Sequence, residues 1–214
     1  MTTAIVIGAT GLVGKCLVRQ LLADARYSSV IALTRRTTGV NAEKYREYVV
    51  DFDHPETFAS RVQGDVLFSA MGTTRKQAGS LAAQRTVDYG YQLAVARLAA
   101  RNGVHSYVLV SSSGASDRSL SAYLKMKGEL ERDVLPLGFA SVQILQPGPL
   151  SGEREQPRLG EAVAESVLKV VNAVGLLRSM RPISGEQVAS AMRHAATLSG
   201  TRTHGPAELF ELGS

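Results

Sequence analysis

Tryptophan is absent from the 214 residues, cysteine occurs once, and aromatic side chains make up only 6% of the chain. A lone thiol, Cys16, excludes an internal disulfide and any zinc site built on paired thiolates. The histidines, His54, His105, His194 and His204, are scattered, with no two at metal-ligand spacing on one helix. No metal centre is expected. The longest stretch without a charged residue, 134–152, contains Pro136, Pro147 and Pro149 and is no membrane span. The first residues carry no basic segment, and Gly8 follows too soon for a secretory signal. A reducing, cytoplasmic setting fits these absences. The formal net charge is +5, yet basic residues are interspersed with acids and form no long run. That pattern excludes a nucleic-acid surface and suits a small anionic ligand.

Hydrophobic residues make up 44% of the chain and charged residues 20%, the balance of a globular protein. A chain of this length buries roughly 70% of its unfolded surface, enough for a single domain without staples. Short apolar runs alternate with helical spacing. Strands are expected at 3–7, 30–33, 48–50, 66–70, 106–110 and 140–145, and helices at 12–23, 81–100 and 120–134. Asn102 and Gly103 close the second helix and Pro136 stops the third. Such alternation specifies βαβ units: a Rossmann-type, doubly wound parallel sheet of order 3-2-1-4-5-6, with helices on both faces. Residues 151–214 read as a small, mostly helical substrate-side region, with helices at 161–174 and 186–198, packed on that single domain.

The first strand runs into Gly8-Ala9-Thr10-Gly11-Leu12-Val13-Gly14, and a helix begins at once. Gly8 permits the tight turn, Gly11 lets backbone approach a pyrophosphate, and Gly14 lets helix pack close on strand. Free N–H groups and the helix dipole then hold the anion. A dinucleotide site usually places an acid about 20 residues on, where it holds the 2′-hydroxyl of NAD. Here the second strand ends in Arg35 and Arg36. Forked guanidiniums suit a 2′-phosphate, so NADP is expected over NAD.

The fifth strand ends in Ser111-Ser112-Ser113-Gly114, at the sheet edge where open α/β sheets bind ligands. Tyr123 and Lys127 follow at i and i+4 on one helix face. A phenol with its ordinary pKa of about 10 is a poor acid–base group at neutral pH. A lysine ammonium one turn away favours the phenolate, and a serine hydroxyl can hold a substrate carbonyl.

The glycine spacing, the serines and Tyr123-x-x-x-Lys127 together resemble the short-chain dehydrogenase/reductase superfamily, over the chain to about residue 150. More narrowly, the segments 49–52, 71–75, 111–115 and 123–129 are similar to the atypical members related to the Tat-interacting oxidoreductase of animals. The resemblance implies that Ser112, Tyr123 and Lys127 are the catalytic serine, tyrosine and lysine, with Ser113 an alternative to Ser112. It implies that Asp51 and Phe52 flank the adenine, that Ala70, Met71 and Gly72 line the cofactor near its ribose, and that Pro147 and Gly148 lie along the nicotinamide. Gln146 stands where related proteins often carry arginine.

The expected function is therefore an NADP-dependent oxidoreductase. Hydride passes between nicotinamide and a carbonyl or alcohol substrate, without metal. The competing expectation is an NADPH-binding redox sensor without turnover. A monomer or a homodimer fits equally. Arg154 and Arg158 are candidates for an acidic substrate but read more simply as a solvated loop. Met126, Met180 and Cys16 read as packing residues.

Overall fold

The computed structural model describes residues 1–151 and 181–214. The expected helix at 161–174, Met180 and the candidates Arg154 and Arg158 lie outside the described residues. The first half of the chain follows the expected alternation: β1 (Thr2–Ile7), α1 (Leu12–Ala23), β2 (Tyr27–Thr34), β3 (Tyr45–Val49) and β4 (Val66–Ser69). Two short helices, α2 (Arg75–Ala78) and α3 (Leu81–Arg85), lead through a π-helical turn (Thr86–Tyr91) into α4 (Gln92–Arg101). Then come β5 (Ser106–Val110), α5 (Ala122–Val134) and β6 (Ser141–Leu145). Beyond them lie the two-residue strands β7 (Leu150–Ser151) and β8 (Ile183–Ser184), then α6 (Gly185–Ala195), β9 (Gly200–His204) and α7 (Pro206–Leu212).

The main sheet has seven strands in the order β3-β2-β1-β4-β5-β6-β9, every pair parallel. This is the Rossmann-like doubly wound sheet, with one strand more than the sequence pattern shows. The added strand reads Gly-Thr-Arg-Thr-His, and four of its five residues are exposed, so no apolar run marks it. It is an edge strand, wet on its outer side.

Each inner strand feeds two cores. Ala4 and Val6 of β1 face one side with Leu17 and Leu21 of α1 and Val188 of α6. Ile5 and Ile7 face the other with Leu93 and Val95 of α4 and Leu130 of α5. That two-sided burial is why β1 and β5 read as unbroken apolar runs rather than alternations. Ser121 caps α5 by accepting from the Leu124 N–H, and Ser184 with Gln187 forms a capping box on α6. Gly103, at φ +79°, ends α4 where the sequence places the stop. Among the described residues no helix is long and apolar enough to cross a membrane.

Candidate dinucleotide site

The glycine turn is built by close approach. A Cβ on Gly14 would lie 2.0 Å from the Gly8 carbonyl oxygen, and one on Gly8 would lie 2.5 Å from the backbone of Ala70 and Met71. Gly8 also sits at φ +83°, where a side chain is strained. Gly11 caps α1, donates its N–H to the Gly8 carbonyl at 2.9 Å, and supplies no side-chain cap. The first-turn N–H groups of α1 are therefore left facing the strand ends, with no acid in that turn. A cradle of bare backbone at a helix N-terminus fits the pyrophosphate of a dinucleotide. Ala9 and Val13 are buried beneath it, while Thr10 and Leu12 lie nearer its surface. Ala70, Met71 and Gly72 leave β4 directly beside Gly8.

The two arginines after β2 diverge. Arg36 lines a cavity of about 710 Å³ with Thr10, Lys15, Arg19, Thr37 and Thr38. Arg35 lies instead near Tyr91, whose hydroxyl donates to Asp53 at 2.7 Å. Burial and that bond push the Tyr91 phenol up to about 12, and Arg35 opposes the shift. Asp51 is exposed and accepts the Asp53 N–H at 3.0 Å. The Phe52 ring is 4% exposed and packs on Phe58 and Tyr91, with ring centroids 5.7 and 5.5 Å away.

The predicted acid–base group lies on α5. Tyr123 is half-buried; Lys127 is buried, with its Nζ 3.5 Å from Asp88 Oδ1. Gly128 follows because the Ser116–Asp117 backbone crosses α5 there; a Cβ would lie 2.2 Å from it. The three serines separate. Ser111 is buried and donates to Glu131, which also accepts from Gln146 Nε2 at 3.0 and 3.1 Å. Ser112 and Ser113 remain half-buried at the edge, and the Ser113 N–H donates to the Pro147 carbonyl at 2.9 Å. That bond joins the ends of β5 and β6 and places Pro147 beside the serines. Gln146 serves to fix Glu131. Among the described residues no group of three or more His, Cys, Asp or Glu side chains could hold a metal ion.

Three residues of this site escape the sequence reading: Asp88, Glu131 and Gly128. The signal for the first was present. Gln84, Asp88 and Gln92 recur at intervals of four along the α3–α4 run, and all are buried. A polar stripe on a buried face marks a network rather than a solvated side.

Comparison with known proteins agrees with this fold. The family described as NAD(P)H-binding matches residues 8–197. The mitochondrial protein FMP52 of Coccidioides immitis is 38% identical over 191 residues, covering 83% of this chain and 76% of that protein. FMP52 of Saccharomyces cerevisiae is 40% identical over 153 residues, covering 70% and 66%. Among solved structures, a Thermus thermophilus UDP-glucose 4-epimerase in complex with NAD has a TM-score of 0.72 at 19% identity, covering 98% of this chain and 80% of that one. MoeE5 in complex with UDP-glucose and NAD gives a TM-score of 0.67 at 18% identity, covering 95% and 76%. One expectation is overturned. Relatives this similar are named as mitochondrial proteins, which points to a mitochondrial rather than a cytoplasmic setting.

Proposed function

The chain belongs to the NAD(P)H-binding family, and we propose that it is an NADP-dependent oxidoreductase of the short-chain dehydrogenase/reductase type, interconverting a carbonyl and an alcohol. The observation that carries this reading is the glycine cradle lying on the same sheet edge as Tyr123, Lys127 and the β5 serines. Our reading extends to a narrower kinship with the Tat-interacting oxidoreductase, supported by the likeness of 49–52, 71–75, 111–115 and 123–129.

A bound nicotinamide supplies or accepts the hydride. The chain's own groups do the rest. Ser112, or Ser113 beside it, donates a hydrogen bond to the substrate oxygen. The Tyr123 hydroxyl passes its proton to that oxygen in reduction and takes it back in oxidation. In this reading the Lys127 ammonium favours the phenolate and binds ribose hydroxyls. Backbone N–H groups of the glycine turn hold the pyrophosphate. Tyr123→Phe separates turnover from sensing, because a sensor that only binds NADPH has no need of the phenol.

Arg36 supports NADP over NAD: it lines the cavity beside the glycine turn, and Lys15 and Arg19 share its wall. Arg35, which lies near Tyr91 and does not line that cavity, is assigned no 2′-phosphate contact. The test is a titration of the protein with NADPH and NADH. Arg36→Ala is expected to weaken NADPH about tenfold, near 1.4 kcal/mol, and to leave NADH unchanged. Arg35→Ala should change neither by more than about twofold. Equal losses for the two cofactors would overturn the 2′-phosphate assignment.

A further inference from the structure

Lys127 and Asp88 form a buried ion pair, with side chains 4% and 1% exposed. Asp88 is also a junction. The Thr73 N–H points at both carboxylate oxygens, at 3.4 and 3.3 Å. Gln84 lies beside the same carboxylate and donates its Nε2 to the Thr73 carbonyl at 3.3 Å. Behind it, Gln92 Nε2 donates to the Asp88 carbonyl at 2.6 Å, and Gln92 Oε1 accepts from Ser69 Oγ at 2.7 Å. A Cβ on Gly72 would lie 3.1 Å from Asp88 Oδ1, a tight contact.

The backbone around Asp88 is unusual in the same place. Residues 86–91 form a π-helical turn inside an otherwise α-helical run from 81 to 101. A π turn inserts an extra residue and carries the local cost of a weaker ladder, so it persists where a side chain must be re-aimed. Here the re-aimed side chain is a carboxylate in the protein interior. Burial pushes that carboxyl up, while Lys127 and the Thr73 N–H oppose the shift.

We propose that Asp88 is the positioning residue for Lys127: its carboxylate holds the lysine ammonium charged and aimed at the cofactor edge, and ties it to the β4 exit loop at Thr73. Asp88 touches neither cofactor nor substrate in this scheme and acts through Lys127. Among the described residues it is the lysine's only ion-pair partner. Other titratable groups on the neighbouring elements are engaged elsewhere. Tyr89 donates to Asp133, Tyr91 to Asp53, and Glu131 is held by Ser111 and Gln146. Arg97 of α4 is exposed and acts on the Tyr89–Asp133 pair. Tyr123 precedes Lys127 by one turn. Removing Asp88 therefore leaves a buried ammonium without its compensating charge, and such a group surrenders its proton more readily.

The role of Lys127 rests on the oxidoreductase reading; the pairing does not, and the experiment reads it without cofactor. The lysine side chains are labelled with ¹³C at Cε, Lys127 is assigned by its loss in Lys127→Met, and its signal is followed against pH. In Asp88→Asn the Lys127 titration is expected to move to lower pH by about one unit or more. An unmoved titration overturns the proposal. A second reading guards against a variant that folds poorly. The double variant Asp88→Asn with Lys127→Met should be more stable than Asp88→Asn alone, because it removes both members of the pair. Equal destabilisation by Asp88→Asn with and without Lys127 also overturns it. NADPH binding by Asp88→Asn should then weaken more at high pH than at low pH. If the wild type binds no NADPH while the titration still moves, the pairing stands and the oxidoreductase reading falls.

Discussion

Gly14 shows how much one residue decides. Its missing Cβ would stand 2.0 Å from a backbone oxygen, which no rotamer change can relieve. Gly14→Ala must push α1 away from β1 and distort the Gly8 turn. The expected cost is about 3 kcal/mol in urea unfolding, with loss of NADPH binding. A variant that binds as the wild type would mean the helix can slide without opening the cradle. Gly14 was legible because three glycines between a strand and a helix have one common physical cause. Tyr123 and Lys127 were legible through shared helix-face spacing. Asp88 carried a signal, the spacing of Gln84, Asp88 and Gln92 by fours, but a polar stripe reads as the wet face of a helix until burial is known. The split between Arg35 and Arg36 was not legible, since adjacent residues leaving a strand diverge by geometry that spacing alone does not encode.

At the scale of elements, apolar runs located β1 to β6 to within a few residues. The run 81–100 reads as one helix, and the structure keeps it as one run, to Arg101, with a π turn set into it. Periodicity cannot show a single inserted residue. The edge strand β9 was invisible because its exposed, polar residues carry no apolar signal. The packing of α6 on α1 depends partly on charge. Asp24, just past α1, accepts from Arg26 at 3.0 Å and from Arg193 of α6 at 3.1 Å. The Arg26 bonds foremost, with Arg193 adding to them, hold the Asp24 carboxyl down at about 2. A depressed carboxyl stabilises the fold above its unfolded value, and that contribution fades as pH falls through the folded one. Asp24→Asn should therefore cost about 1 kcal/mol at neutral pH after solvent screening. The gap from wild type should close as pH drops below about 4. Chemical denaturation at several pH values measures it, and a pH-independent gap would mean that packing, not charge, is what the substitution removes.

For the whole molecule, function gathers at one end. The carboxyl ends of β1, β2, β4, β5 and β6 present the glycine cradle, Arg36, the Ala70–Thr73 exit, the serines and Pro147. The far edge of the sheet has a different task. There β9 joins β6 through a buried polar knot. Gln143 Nε2 donates to the Gly200 carbonyl at 2.9 Å and to Ser141 Oγ at 3.0 Å, and its Oε1 lies 2.8 Å from His204 Nε2. Since both Nε2 hydrogens of Gln143 are committed, its Oε1 must accept, and His204 Nε2 carries the proton. His204, Gln143 and Ser141 are each 1% exposed or less, so every polar atom there needs its partner. His204→Ala leaves a cavity and an unsatisfied Gln143 oxygen in the interior. The expected loss is about 3 kcal/mol, a fall in Tm of roughly 9 °C for a chain of this size. NADPH affinity should change by less than about twofold, because the knot lies at the sheet edge away from the glycine turn. Thermal unfolding and NADPH titration of this one variant read both quantities. A large loss of affinity at unchanged Tm would reverse the division of labour, placing β9 among the elements that shape the ligand site.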